Sequence, residues 1–208
     1  ERGYHIEYCP VNGKGMLCLD RICEMIDEQT AIVSVMWANN ETGNIYPAIN
    51  LADIAHERGA LFHTDAVQAV GKVPIDLAKT NIDFLSLSGH KLHAPKGVGA
   101  LYVRKGVRFS PFMIGGHQEE GLRAGTENVA GIVALGRAAV LAAANMDEER
   151  TRVAALRDRL ETGLLGSCPN ARVNGNPSSR LPNTTNISFE FVEGESILLM
   201  LDQFSIAA

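Results

Sequence analysis

The sequence predicts an α/β protein, a mostly parallel sheet followed by the start of a smaller α+β lobe, and three observations carry that prediction. From Thr30 to Val103, short apolar runs rich in β-branched residues alternate with longer amphipathic ones, the pattern of successive βα units. Glycine marks nearly every junction between them. Further on, the composition turns from apolar to charged, and the loops Pro177-Ser178-Ser179 and Pro182-Asn183 precede one more strand, Thr185 to Phe191.

Taken in order, Ala31 to Trp37 is a buried-strand candidate, apolar and β-branched at its centre. Ala48 to Arg58 carries Ile49, Ala52, Ile54 and Ala55 at near-helical spacing, and Gly59 stops that helix. The next strand follows at once, Ala60 to Thr64. Asp83 to Leu87 is the third strand, and Ala100 to Val103 the fourth, after the Pro95-Lys96-Gly97 turn. Gly115 to Asn128 reads as a polar, glycine-rich loop. Val129 to Asn145 is Ala-rich and apolar on most sides, which predicts a largely buried helix, and Met146 to Leu165 predicts a charged amphipathic one. The lobe boundary is expected between these two helices. Residues 1–145 are then the remainder of a large domain and residues 146–208 the beginning of a small one, both incomplete. The chain starts without Met and stops at Ser205-Ile206-Ala207-Ala208, after an apolar strand-like run, so it is expected to be a piece of a longer protein.

With 208 residues, 46% hydrophobic and 21% charged, there is material for one substantial core, or a core and a small second lobe. A formal charge of -5 and the lack of any basic run oppose attraction to phosphate backbones or anionic lipid, so neither nucleic acid nor membrane is an expected partner. No uninterrupted apolar stretch reaches the roughly 18 residues of a membrane span. The start, Glu1-Arg2-Gly3-Tyr4-His5, has no apolar secretory character, and the expected location is cytoplasmic. Cys9, Cys18, Cys23 and Cys168 are scattered without a CxxC pair or zinc-type cluster, as reduced structural thiols are.

Ligands of an open α/β sheet bind beyond the carboxyl ends of its strands, where loops and helix N-termini converge. Asn39-Asn40-Glu41 follows the first strand, Asp65 and Gln68 follow the second, and Ser88-Gly89-His90-Lys91 follows the third. Adjacent strand ends would thus gather an acid, an amide and an amine. An amine there attacks a carbonyl if burial or positive neighbours lower its pKa. A carboxylate set against a pyridinium nitrogen keeps that nitrogen protonated, so the ring can accept electrons. Lys91 and Asp65 are the candidates for those roles. Spacing alone leaves the bland alternatives open: a lysine beside a turn is usually solvated, whereas a carboxylate between apolar segments needs a partner once buried.

His63 and His90 stand beside these groups, and an isolated histidine is more often a hydrogen-bonded core side chain than a ligand. His63, Asp65, His90 and His93 include metal-ligand types but match no ligand spacing such as HExxH, and no metal is expected. The loop from Gly115-Gly116-His117-Gln118-Glu119-Glu120 continues through Gly121, Arg123, Gly125 and Thr126 to the Val129 helix. Backbone N–H groups freed by glycine, with a hydroxyl at a helix start, suit a phosphate. The alternative is a flexible loop capped by Thr126, with Glu127 favourable at a helix N-terminus.

Met36-Trp37-Ala38-Asn39-Asn40-Glu41-Thr42-Gly43, His63-Thr64-Asp65-Ala66-Val67-Gln68, and Ser86 through Gly97 resemble the cysteine desulfurases, in the branch serving iron-sulfur cluster assembly and nitrogenase maturation. Gly115 to Glu119 and Arg123 to Asn128 resemble that family too. Four ordered motifs at compatible spacing are far more specific than any one of them. The resemblance runs from about Ala31 to the chain's end, and it implies a three-layer fold-type-I enzyme of the class V aminotransferase group. It further implies pyridoxal 5'-phosphate as cofactor and a homodimer as the working unit. By motif position, Lys91 is the Schiff-base lysine, Asp65 the partner of the pyridine nitrogen, and Gln68 and Asn40 donors to the ring hydroxyl oxygen. Ser88 and His90 contact the phosphate, and Thr126 reaches the phosphate of the neighbouring subunit's cofactor.

The same resemblance implies L-cysteine as substrate and L-alanine as product, with a separate cysteine thiolate taking the sulfur as a persulfide for an iron-sulfur scaffold or other acceptor protein. That thiolate is expected just after a strand resembling Phe204 to Ala208, and none of the four cysteines matches its position. A ring-stacking aromatic group, a phosphate loop and a carboxylate-binding arginine are expected outside these residues as well. A selenocysteine lyase or small-amino-acid aminotransferase would share Lys91 and Asp65, although Lys91-Leu92-His93-Ala94-Pro95-Lys96-Gly97 favours the desulfurases. A truncated, non-catalytic assembly partner and a metal hydrolase built on the histidines are the alternatives from other classes.

Overall fold

The computed structural model describes residues 3–207. An extended opening segment leads to α1 (Leu19–Met25), which buries Ile22 in the main core. Then come β1 (Ile32–Ser34), α2 (Ala48–Glu57), β2 (Leu61–Asp65), β3 (Phe84–Ser88) and β4 (Gly99–Val103). The four strands form one sheet in the order β1-β2-β3-β4. β1 and β2, and β2 and β3, run parallel, and β4 returns antiparallel to β3. The reversal follows from chain length: a parallel return needs a crossover of about a dozen residues or more, and the turn after Ser88 supplies no such helix. The predicted strand Ala31 to Trp37 is one extended segment, regular only over Ile32–Ser34. The burial expected of it is found at Trp37 but not at Ile32, which is 49% exposed, because β1 stands at the end of the strand order. Beyond β1, the Val35 and Trp37 N–H groups still donate to the His63 and Asp65 carbonyls, at 3.1 and 2.7 Å.

Helix α2 buries Ala48, Leu51, Ala52 and Ala55 against Trp37, Phe62, Ile82 and Leu85. Ile49, expected on that face, is exposed. The alanines are small enough for the helix to lie close on the sheet, and the face is set by where they fall. Gly59 ends the helix at φ +80°, the left-handed stop predicted for it.

Asp83 is buried just before β3, at the amino end of that inner strand and so opposite the carboxyl ends that carry the candidate residues. Its Oδ2 accepts from the Phe62 N–H at 2.8 Å and pairs with His56 Nε2 at 2.7 Å. Arg104 Nε lies 3.6 Å from Oδ1, and its guanidinium donates to the Thr80 and Ile82 carbonyls. One carboxylate therefore ties α2, β2, β3 and the end of β4 together. Asp83→Ala is expected to destabilise the fold by about 3 kcal/mol or more, because a buried N–H, the His56 ring and the Arg104 guanidinium lose their acceptor. Denaturant titration checks this, and an unchanged midpoint would refute it. Thr64 gives the opposite case: it is buried, and its Oγ1 has no partner among the described residues. Thr64→Val is expected to leave stability equal or raise it by up to about 1 kcal/mol in thermal melts. A clear loss would show that the hydroxyl is satisfied after all.

After the glycine-rich loop, α3 (Val129–Glu148) passes through a π turn at Glu149–Val153 into α4 (Ala154–Ser167), and the three make one continuous helix. The two predicted helices are joined because neither glycine nor proline falls between Arg137 and Thr162. The change of composition after Asn145 lies inside this helix. The predicted burial of Val129 to Asn145 is not found: Val133 is 67% and Val140 59% exposed, and only Gly131 and Ala138 are buried. Apolarity around a helix says nothing of how many neighbours it has, and here one face rests on a layer, with Ala138 packed against Leu92 and Ala94. By length and composition alone, one window of the helix is apolar enough to cross a membrane. Arg137 interrupts it and lines a cleft.

β5 (Ala171–Val173) and β6 (Ile187–Phe189) form a separate antiparallel pair. The apolar run near the end, read above as strand-like, is instead α5 (Gly194–Gln203). Leu and Met are strong helix formers, and Glu195 in the first turn favours the helix N-terminus. No strand follows at Phe204: Ser205 turns at φ +58°, and Ala208 lies outside the described residues. This second lobe is stitched to the loop after β1. Asn176 N–H donates to Asn44 Oδ1 at 2.7 Å, Leu181 N–H to Gly43 O at 2.8 Å, and Ile45 N–H to Ser179 O at 3.0 Å. Gly43 sits at φ +73°, and a Cβ there would come within 2.8 Å of Thr184 Cβ, so only glycine fits the seam.

Candidate functional site

The parallel register sets Ser34 beside His63, and Asp65 beside Ser86. Because side chains alternate along a strand, Ser34, His63, Asp65, Ser86 and Ser88 all stand on one face of the sheet. Ser34 Oγ is 2.8 Å from His63 Nδ1, and His63 Nε2 is 3.3 Å from Ser86 Oγ. Burial holds the His63 imidazole below its ordinary pKa, while the nearby Asp65 charge pulls the other way. Asp65, the last residue of β2, is exposed. Its Oδ1 accepts the Val67 N–H at 2.9 Å, and its Oδ2 has no hydrogen-bond partner among the described residues. Gln68 follows one turn later, half-buried.

The end of β3 is more tightly built. Gly89 N–H donates to Val98 O at 2.9 Å, and a Cβ on Gly89 would meet the Val98 side chain and carbonyl at 2.9 and 3.0 Å. The 3-10 turn Gly89–Leu92 is pinned beneath by buried Leu92 and closed by His93 at φ +64°. His90 and Lys91 are thereby held exposed on a rigid turn. Ser88 Oγ lies 2.7 Å from His90 Nδ1, which couples a hydroxyl to an imidazole at the strand end.

The two asparagines after β1 divide their work. Asn39 Oδ1 accepts the Glu41 and Thr42 N–H groups at 2.9 and 2.8 Å and builds the loop. Asn40 is exposed, bonded only to the Glu41 carboxylate at 2.7 Å. Thr126 is not the cap of the following helix; Asn128 is, its Oδ1 accepting the Gly131 N–H at 3.1 Å. Thr126 is exposed on the loop and makes no hydrogen bond to the strand-end group among the described residues. The structure therefore gathers Asp65, Gln68, Ser88, His90 and Lys91 at adjacent strand ends, with Asn40 at the next end and Thr126 apart.

Lys91 also lines a cleft of about 500 Å³ between the turn after β2 and α3, with Val70, Lys72, Leu92, Arg137 and Ala138. Asp65, Gln68, Ser88 and His90 do not line it, so Lys91 is the one member of the strand-end group that this cleft includes. The chemistry favours the strand ends. Lys72, which the sequence reading passed over, is half-buried in this cleft. Burial first, and then the charge of Lys91, hold its ammonium below the usual lysine range, against the pull of Glu149. Among the described residues no group of three or more His, Cys, Asp or Glu side chains could hold a metal ion. Both ring nitrogens of His63 are taken by serines.

A sheet with an acid, an amine and an imidazole–hydroxyl pair at its carboxyl ends is an enzyme-like arrangement, and the chain belongs to the class-V aminotransferase family, which it matches over residues 1–208. Within that family it is 61% identical over 207 residues to a cysteine desulfurase of Gluconacetobacter diazotrophicus, covering 100% of this chain and 52% of that protein. It is 57% identical over 206 residues to the cysteine desulfurase NifS of Azotobacter vinelandii, covering 99% of this chain and 51% of that one. Among solved structures, a NifS-like protein superposes with a TM-score of 0.94 at 39% identity, over 99% of this chain and 56% of the other. DndA from Streptomyces lividans gives 0.87 at 38% identity, over 97% and 57%. The chain thus spans about half the length of the relatives it matches.

Enzymes of this family depend on pyridoxal phosphate, and the donors present suit that group. A primary amine stands on a rigid turn, a carboxylate has one uncommitted oxygen, and a hydroxyl–imidazole pair and an amide flank them.

Proposed function

We propose that this chain is part of a pyridoxal-phosphate-dependent cysteine desulfurase, which converts L-cysteine to L-alanine and passes the sulfur as an enzyme persulfide toward iron-sulfur cluster assembly. The observation that carries this reading is the gathering of Asp65, Gln68, Ser88, His90 and Lys91 at adjacent strand ends, in a chain more than half identical to named cysteine desulfurases. When bound, the cofactor's ring draws electron density from the bonds at the amino acid's α-carbon. Lys91 would hold the cofactor through its amine, and Asp65 Oδ2 would accept a hydrogen bond from the ring N–H, keeping that nitrogen protonated. Gln68 and Asn40 would donate to the ring hydroxyl oxygen. Ser88 and His90, already coupled at 2.7 Å, would bind the phosphate together, and His90 stands next to Lys91 to assist its chemistry.

Thr126, with its hydroxyl free of the helix cap, would reach the phosphate of a partner subunit in a homodimer. Residues 1–145 would belong to the large cofactor-binding domain and residues 146–208 to the small one, and the separate strand pair β5–β6 supports that division. None of Cys9, Cys18, Cys23 and Cys168 lines the Lys91 cleft, and the persulfide role is assigned to none of them. Four free thiols accord with the reducing cytoplasm. A 57% identical NifS supports a sulfur acceptor in iron-sulfur or nitrogenase assembly, a scaffold or another acceptor protein.

The test is product analysis of the full-length protein with pyridoxal phosphate and L-cysteine. Alanine and protein-bound sulfur are expected in equal amounts. With a 2-oxo acid supplied as amino acceptor, 3-mercaptopyruvate and the aminated acceptor would instead make it an aminotransferase, and turnover confined to selenocysteine would make it a lyase for that substrate. No turnover of any amino acid by a protein that binds the cofactor would point to a non-catalytic assembly partner.

A further inference from the structure

His63 lies outside the roles assigned above, yet it is the most completely engaged polar side chain on the site's face of the sheet. It sits two residues before Asp65 on β2, on the same face and one step deeper. A histidine this close to a carboxylate ordinarily takes up a proton and pairs with it, which would neutralise the acid. Among the described residues His63 forms no ion pair with Asp65. Its Nδ1 is 2.8 Å from Ser34 Oγ on β1, and its Nε2 is 3.3 Å from Ser86 Oγ on β3. A hydroxyl can both donate and accept, so two serines satisfy a neutral imidazole with no need for a second ring proton.

We propose that His63 is a positioning residue for Asp65, a neutral imidazole clamped between Ser34 and Ser86 that supports the carboxylate from below and leaves its charge to the cofactor's ring nitrogen. This rests on the pyridoxal-phosphate reading. Asp65 keeps one oxygen on the Val67 N–H and the other uncommitted, as an acceptor for a ring N–H requires. The neighbouring strands present His63 with hydroxyls, and Asp65 is the one charged group that acts on it. Burial outweighs that charge and favours the uncharged ring, in keeping with the geometry. A permanent cation at this position would pair with Asp65 and compete directly with the ring nitrogen.

The test has two arms in the full-length protein. Nitrogen-15 NMR of the histidine rings, assigned with His63→Gln, is expected to show His63 neutral and titrating below the ordinary histidine range. The visible spectrum of bound pyridoxal phosphate is then followed against pH. His63→Lys is expected to shift the spectral transition and lower kcat about tenfold or more, the equivalent of one pKa unit at the ring. His63→Gln, uncharged and able to bond both serines, is expected to recover most of that loss. An imidazolium at neutral pH, or a His63→Lys protein whose spectrum and kcat match wild type, would overturn the proposal. If wild type binds no cofactor, the pyridoxal-phosphate reading fails and takes this one with it; that outcome is distinct from a cofactor-loaded protein indifferent to His63→Lys.

Discussion

Lys91→Ala is expected to abolish covalent attachment of pyridoxal phosphate and to lower turnover on the order of 10³-fold or more, the scale on which loss of a nucleophilic side chain is felt. The turn that carries Lys91 is held by Gly89 against Val98 and by buried Leu92, so the amine is presented from a rigid base. Removing it takes away the attacking nitrogen and leaves that base intact. Lys91→Arg is the sharper control. It keeps the positive charge, but the guanidinium stays protonated and does not attack a carbonyl. If charge alone held the cofactor, Lys91→Arg would retain function; if nucleophilicity does, both variants fail alike. Borohydride reduction followed by mass spectrometry reads this without any assay of turnover. Wild type should gain the mass of the reduced cofactor and the two variants should not, and a labelled Lys91→Ala protein would reassign the role to another lysine, with Lys72 across the cleft the first to examine.

Asp65→Asn is expected to keep the covalent attachment and to lose on the order of 10²–10³ in kcat, the scale of removing one preorganised electrostatic partner from a reacting centre. The amide nearly matches the carboxylate in shape and can still accept the Val67 N–H. It lacks the negative charge that keeps a ring nitrogen protonated. Asp65 is exposed and makes no ion pair among the described residues, so stability should change by less than about 0.5 kcal/mol, the usual range for such surface changes. Full kcat in Asp65→Asn would remove Asp65 from the mechanism, whereas a collapse in stability would make it structural.

Much of the sheet was legible in advance because its signals are local. Alternating apolar runs and glycine stops located the four strands within a few residues, and Gly59 and the Pro95-Lys96-Gly97 turn fell where expected. The helices were less legible at their faces. Ile49 was expected inside α2 and lies outside, because close packing of alanines chose the buried side. Val129 to Asn145 is apolar all round, yet a helix is buried only as far as other elements cover it, and here one face is covered. The run near the chain's end was read as strand-like from its apolarity, although its Leu and Met content suited a helix.

The site divides in the same way. Lys91, Asp65, Gln68, Asn40, Ser88 and His90 could be named from sequence because each lies within a few residues of a strand end, and strand ends are what periodicity reveals. The linkage of Ser34, His63 and Ser86 could not, since these residues are far apart in the chain and meet only through strand register. Nor could the cap at Asn128 in place of Thr126, or the approach of Lys72 to Lys91, which depend on side-chain geometry between elements. By itself, the sequence determined the strand order of the chemistry, an amide, an acid and an amine at successive ends of a parallel sheet. Tertiary structure alone decided which of those groups are already engaged and which stand free, because hydrogen bonding and burial are properties of neighbours in space.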